Sequence, residues 1–178
     1  MDAITIERAR RQDRSAQAAL LREMQDIWFR VCRGMLKDAE LARDATQETA
    51  LRFLRDLPNF RGDSAIRTWS IGIALNVARE MRRTSYRTET TARHANLAAA
   101  PRATRPPDES AASSEESEHV RKLLDALPDR QREAVILRYF EGLSVEETAA
   151  AMSCAAGTVK ATVHQALRAL KSRLKQMS

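Results

Sequence analysis

Glycine is scarce in this chain, with five residues among 178. That leaves little room for the glycine-rich loops that cradle phosphates in nucleotide-binding enzymes. Aromatic residues make up only 4%, whereas a β-sandwich wants more of them, together with Val, Ile and Thr. The two cysteines, Cys32 and Cys154, stand far apart and outside any CxxC pair, and His94, His119 and His164 are equally scattered. No metal-ligand spacing results and no disulfide can be argued; small buried or half-buried thiols are the plain reading. No apolar run approaches the roughly 20 residues of a membrane span. Residues 1–14 are charged and lack the apolar stretch of an export signal. The expectation is a protein of the cytoplasm, not inserted in a membrane. No convincing nucleophile–base–acid set is present, so neither an enzyme nor a cofactor is expected.

What the chain has is charge, at 30%, and an apolar share of 43% rich in Ala and Leu. This balance favours helices packed on helices. The formal net charge is +6. A basic helical protein commonly meets a polyanion, usually nucleic acid, although arginines that merely solvate helix faces explain the same balance.

Three amphipathic helices can be read in the first half. Over residues 14–35, Leu20, Met24, Ile27, Trp28, Val31 and Met35 recur at spacings of three and four and form one apolar stripe. The next helix starts near Asp38, carries Ala42, Ala45, Thr49, Phe53, Leu54 and Leu57, and ends at Pro58. After the polar loop Asn59-Phe60-Arg61-Gly62-Asp63, Ser64 can cap a third helix over residues 65–85, with Ile66, Trp69, Ile73, Ala74, Val77 and Met81 on one face. Its last turns hold Arg79, Arg82 and Arg83, with Arg87 just beyond. Cations there complement the helix dipole, but four exceed what capping needs and point to a polyanion contact.

Residues 88–118 lose apolar periodicity. They are rich in Ala, Ser, Thr and Pro, with acids gathered at the far end, which reads as a flexible linker between two small domains. Beyond it a short helix runs from His119 to Ala126 and a second from Asp129 to Phe140. Gly142 then supplies a left-handed cap, and Ser144-Val145-Glu146-Glu147 reads as a capping box. The pair 144–152 and 156–175, separated by Ser153-Cys154-Ala155, has the helix-turn-helix pattern. Ala149, Ala150 and Ala151 permit a close crossing, and Val145, Met152, Val159, Val163, Leu167 and Leu170 supply the core. The second helix presents Thr158, Lys160, Ala161, Thr162, His164, Gln165 and Arg168 outward, and from Lys160 onward it carries bases and no acid. A plain helical hairpin that binds another protein explains the same pattern.

Here the residues resemble a known family. Gly142-Leu-Ser-Val-Glu-Glu-Thr-Ala followed by Gly157-Thr-Val-Lys resembles region four of bacterial sigma factors, and Leu127-Pro-Asp-Arg-Gln-Arg-Glu-Ala-Val-Ile-Leu-Arg-Tyr looks like its lead-in. Independently, Asp44-Ala-Thr-Gln-Glu-Thr resembles the region-two signature, and Phe60-Arg-Gly-Asp-Ser-Ala-Ile-Arg-Thr-Trp with Ile73-Ala-Leu-Asn-Val-Ala-Arg is similar to its promoter-melting segment. With no region between them, the layout is that of the extracytoplasmic-function (ECF) group of the sigma-70 family.

The resemblance implies an all-α protein of two small helical domains joined by a flexible linker. Residues 1–13 form a tail, 14–87 a three-helix region two, 88–118 the linker and 119–178 a four-helix region four. It implies that Asp44, Gln47 and Glu48 meet core RNA polymerase. It further implies that the loop Asn59, Phe60, Arg61, Gly62, Asp63 and Ser64 captures a flipped base of the minus-10 element, and that Arg67, Asn76, Arg79, Arg82 and Arg83 meet its phosphates. Trp69, on the apolar stripe, is core first and base wedge second. The minus-35 element falls to Thr158, Lys160, Ala161, Thr162, His164, Gln165 and Arg168. Promoter DNA and core polymerase are thus the implied partners. Such factors are often held inactive by an anti-sigma protein, which nothing in this sequence identifies. The last helix departs from the family: Ala161, Thr162, Gln165 and Leu167 stand where Ser and several Arg are common, Ser153 replaces the usual turn glycine, and Ala155 is a poor cap. The rival readings are a stand-alone helix-turn-helix regulator and a helical adaptor that binds only proteins.

Overall fold

The computed structural model describes residues 2–36, 38–94 and 115–177, and among them there is no strand. Most of the expected linker, residues 95–114 with Pro101, Pro106, Pro107, Asp108 and Glu109, lies outside the described residues. The supposed tail holds a helix, α1 (Ala3–Arg10). Asp2 caps it by accepting from the Thr5 amide, and Ala9 on its inner face is buried against α2. Helix α2 (Arg14–Met35) has the bounds its periodicity predicts, with Leu20, Met24, Trp28, Val31 and Met35 buried along one stripe. Helix α3 (Ala39–Asp56) begins at an Asp38 cap that takes the amides of Glu40 and Leu41, and buries Ala42, Ala45, Thr49 and Phe53. A single 3-10 turn, Leu57–Asn59, carries Pro58 rather than stopping before it.

Helix α4 differs most from expectation. It spans Ile66–His94, nine residues past the expected stop and into the expected linker. It opens after Ala65, so Ser64 stands one place before the cap position. Its single predicted stripe supplies only half of the apolar residues it buries. Ile66, Ala74 and Val77 are buried as expected, but so are Ile71, Leu75 and Ala78. The reason is that α4 is covered twice: α2 and α3 pack on one side, and a helix of the second half on another.

In that half α5 (Glu115–Asp125) is followed by α6 (Asp129–Val135), a π-helical turn (Ile136–Phe140), α7 (Val145–Met152) and α8 (Ala156–Met177). The helix expected over 129–140 is thus α only as far as Val135. Gly142 takes the left-handed conformation, φ 67°. The Ser144–Glu147 capping box closes reciprocally, with each side chain accepting the other residue's amide, which stabilises such a helix start by about 1 kcal/mol. The buried Arg132 guanidinium donates to the carbonyls of Leu124 (2.8 Å), Asp125 (2.7 Å) and Leu127 (2.9 Å), and so ties the end of α5 to α6.

Both expected regions are present, and they also pack on one another, which local periodicity does not signal. Helix α7 lies on α4, and α6 with its π turn lies on α2. Ile136, Leu137, Leu143, Ala151 and Met152 join the core built by α2–α4. A smaller cluster of Leu124, Leu127, Val135 and Ala166 fastens α8 to α5 and α6.

Candidate nucleic-acid interface

The first half offers a loop held from beneath. Phe60 is buried, its ring 5.0 Å from that of Trp69, which in turn lies 5.5 Å from Phe53. These offset aromatic contacts pin one residue of the loop. Asn59, Arg61, Gly62 and Asp63 around it are exposed, and Ser64 is half-buried. Gly62 has φ 80° with nothing within 4 Å of where a side chain would stand. The backbone there is open to an incoming group. Phe60 therefore braces the loop, and Trp69, half-buried between two rings, belongs to the brace.

The cations along α4 are brought together, but most are engaged. Arg79 makes a two-pronged pair with Glu133, 2.6 and 2.7 Å, and donates to the Asn76 amide oxygen at 2.8 Å. Arg67 donates to the Glu141 carbonyl at 2.9 Å and approaches its carboxylate at 3.4 Å. Arg82 pairs with Asp129 at 2.6 Å, and its guanidinium lies over the Tyr86 ring. Arg83 is exposed and lines a cleft of about 300 Å³ with Arg52, Arg55, Asn76 and Arg79. Arg52 and Arg55 were not singled out by sequence, although they follow Glu48 at one-turn spacings on α3.

The α3 edge presents Asp44 and Gln47 exposed and Glu48 half-buried. Glu48 is already used: its carboxylate accepts from Arg52 at 2.7 Å, and Arg52 also bridges to Glu80 at 2.8 Å. The Arg52 guanidinium holds the Glu80 carboxyl below the usual carboxylate range, and Glu80 and then Glu48 raise Arg52 in turn. Sequence reasoning missed Leu51, 65% exposed on the same edge. Its signal was available, because 44, 47 or 48, and 51 continue one helical row opposite the buried stripe.

In the second half α7 and α8 cross at the turn 153–155, with Ser153 in the left-handed region at φ 53°. Val159 and Ala166 are buried beneath α8, while Thr158, Lys160, Ala161, His164, Gln165 and Arg168 face outward. Thr162 is half-buried. No acid occurs from Ala156 to Met177. One base of this helix has another task, since Arg173 donates to the Ala126 carbonyl at 2.9 Å.

This arrangement of two helical regions is matched by two family models, Sigma-70 region 2 over residues 20–88 and Sigma-70, region 4 over residues 117–170. The RNA polymerase sigma-H factor of Pseudomonas aeruginosa is 32% identical, over 99% of this chain and 95% of its own length. The chain belongs to the sigma-70 family, ECF group. The ECF RNA polymerase sigma factor SigC of Mycobacterium tuberculosis is a second relative, 33% identical over 94% of this chain and 88% of its own. The solved structure of CnrH in complex with the cytosolic domain of CnrY shares the fold, with TM-score 0.71, 22% identity, and coverage of 98% of this chain and 97% of that one. The sigma factor RpoE of Bartonella quintana, solved with the anti-sigma factor NepR, gives 0.66 at 23% identity, over 89% and 96%. As a sigma factor the chain directs transcription initiation, a regulatory and non-catalytic task. No helix among the described residues is long and apolar enough to cross a membrane.

Proposed function

We propose that this chain binds core RNA polymerase through the exposed edge of α3 and reads a promoter twice. The loop 59–64 and the arginines of α4 take the minus-10 element, and the outer face of α8 takes the minus-35 element. In these terms α2–α4 are the polymerase and melting unit and α5–α8 the minus-35 unit. One observation carries the reading. A single chain combines an exposed loop pinned by a buried aromatic with an exposed, acid-free second helix of a helix-turn-helix. The pinned Phe60 keeps its neighbours splayed, so that a flipped base meets backbone groups already in place. Helix α8 enters a major groove and anchors on phosphates through Lys160 and Arg168.

No bond is made or broken; the factor acts by binding the melted promoter more tightly than the duplex. Two modest DNA contacts gain avidity once one polymerase carries both. The solved relatives were bound to CnrY and to the anti-sigma factor NepR, and a protein inhibitor of that kind is the further partner proposed here. The work takes place in the cytoplasm, where polymerase and DNA are. The test is association with core polymerase in low salt, followed by transcription from a promoter library. The expected result is a complex that starts at specific sites; no association would overturn the proposal. Asp44→Arg with Glu48→Arg should abolish the complex while leaving the helical circular dichroism unchanged.

A further inference from the structure

Glu48, Arg52 and Arg55 follow one another on α3 at spacings of four and three, which puts all three on one flank of the helix. A glutamate four residues before an arginine ordinarily forms a local pair and nothing more. Here the Arg52 guanidinium is divided between two helices. Its Nε donates to Glu48 at 2.7 Å on its own helix, and its Nη2 reaches Glu80 of α4 at 2.8 Å. Arg83, one turn beyond Glu80, adds to the lowering of that carboxyl which Arg52 begins. The cleft of about 300 Å³ that the two helices enclose has Arg52 and Arg55 on one wall and Asn76, Arg79 and Arg83 on the other. Its four arginines outnumber its two acids, Asp56 and Glu80, so it is a positive site. Guanidinium forks suit phosphate oxygens. Half-buried Ile73 lies on the same wall as Asn76. A bare phosphate ion has no use for it, whereas a sugar–phosphate backbone lays a deoxyribose against it.

The geometry points to this α3–α4 cleft as the seat of a phosphodiester of the melted strand, and to Arg52 as the residue that couples the seat to the polymerase face. Both ends of the link rest on the promoter reading above. Glu48 stands in the row proposed to meet core polymerase, and Asn76, Arg79 and Arg83 are among the residues proposed to meet the strand. Arg52 belongs to neither set and lies between them. A polymerase cation that takes Glu48 strips Arg52 of one of its two carboxylates, and the charge so uncovered lines the cleft. A phosphate that takes Arg52 releases Glu48 to the polymerase in return. Half-exposed ion pairs are weak and screened by salt, so the exchange of partners costs little. Linkage makes the effect mutual: core and strand each tighten the other's binding by the same factor.

The experiment uses the full chain bound to core polymerase. Anisotropy of a fluorescent single-stranded DNA of mixed sequence gives strand affinity over a range of salt, with core alone as the baseline. Titration of the chain with core, with and without saturating strand, gives the mutual tightening. Arg52→Gln is expected to lower strand affinity by about fivefold. It should also flatten the slope of log affinity against log salt by about 0.7, the share of one single-strand phosphate contact. Arg52→Lys keeps the charge without the fork and should restore the slope. Glu80→Gln removes the carboxylate that competes with phosphate and should raise strand affinity by about 2–5-fold. The factor by which strand tightens core binding should fall by about 2–5-fold in Arg52→Gln. Unchanged affinity and slope in that variant overturn the seat. A lysine no better than the glutamine reduces Arg52 to a tie between helices and overturns it as well. A flattened slope with undiminished mutual tightening overturns the coupling. Where Arg52→Gln fails to fold by circular dichroism, Arg55→Gln, at an exposed residue paired with its own neighbour Asp56, carries the same expected loss of slope, and no change there overturns the seat. No complex with core would sink the promoter reading itself, whereas a complex that forms and holds strand regardless of Arg52 sinks this inference alone.

Discussion

Leu51→Ala probes the proposed polymerase face at the one position where the structure adds to it. The leucine is 65% exposed and lies in the row of Asp44 and Gln47. Fully burying a leucine is worth about 1.5–3 kcal/mol. With roughly two-thirds of the side chain still in water, a partner helix can recover about 1–2 kcal/mol, which corresponds to a loss of about 5–30-fold in affinity on truncation. Glu48, by contrast, is committed to Arg52, which Glu80 also holds. Such a half-exposed pair contributes up to about 1 kcal/mol within the chain, and breaking it offsets what Glu48 gives a partner. Leu51→Ala should therefore weaken binding more than Glu48→Ala does. The assay is anisotropy of the labelled chain titrated with core polymerase, beside a thermal melt. An exposed leucine leaves stability within about 0.5 kcal/mol of the unaltered chain. Affinities of the two variants in the reverse order, or Leu51→Ala within about twofold of the unaltered chain, would refute the assignment of this edge.

Arg132→Met removes the donor to three carbonyls at the α5–α6 junction and should destabilise the second half by about 3 kcal/mol, read as an earlier denaturant midpoint; an unchanged midpoint would show that water replaces the guanidinium there. Ser153→Gly relieves a left-handed residue at φ 53°. The relief of about 1–2 kcal/mol less the glycine entropy leaves a net gain of about 0.5–1 kcal/mol, a melting point higher by about 1–4 °C, and a fall would count against the turn geometry. The Cys32 thiol is pushed up to about 12, chiefly by burial, so at pH 8 a thiol reagent should modify Cys32 only after unfolding. Because the folded chain holds that proton more tightly than the unfolded one, Cys32 costs stability as pH rises past the ordinary thiol value of 9.0 toward about 12. Replacement by Ala should flatten that part of the pH profile, measured by denaturant titration.

Legibility followed distance along the chain. The bounds of α2, the Asp38 cap, the Gly142 turn and the Ser144–Glu147 box are set by residues within one or two turns, and a 3.6-residue period displays them. The outward face of α8 was readable for the same reason. What stayed hidden depends on contacts between distant segments. Ile71, Leu75 and Ala78 lie outside the Ile66–Met81 stripe because a second partner covers α4, and no period in α4 announces α7. The arginine cluster was visible, but Glu133 and Glu141 sit inside an ordinary amphipathic motif, so their bonds to Arg79 and Arg67 could not be anticipated. Leu51 was passed over because a lone exposed leucine is common; its place in the row with Asp44 and Gln47 is what distinguishes it.

The aromatic brace also gives the chain a built-in optical reporter. Both tryptophans, Trp28 and Trp69, lie in the first half and contact the same ring, Phe53, at 5.1 and 5.5 Å. Trp69 reaches on to Phe60 in the loop. Intrinsic emission therefore comes from a single cluster that runs from the centre of α2 to the loop 59–64, while α8 carries no tryptophan of its own. A base seated beside Phe60 perturbs Trp69 directly, whereas groove binding through α8 leaves both indoles undisturbed. Emission and a label on α8 thus report the two proposed promoter contacts as separate signals, whose order of appearance can be timed.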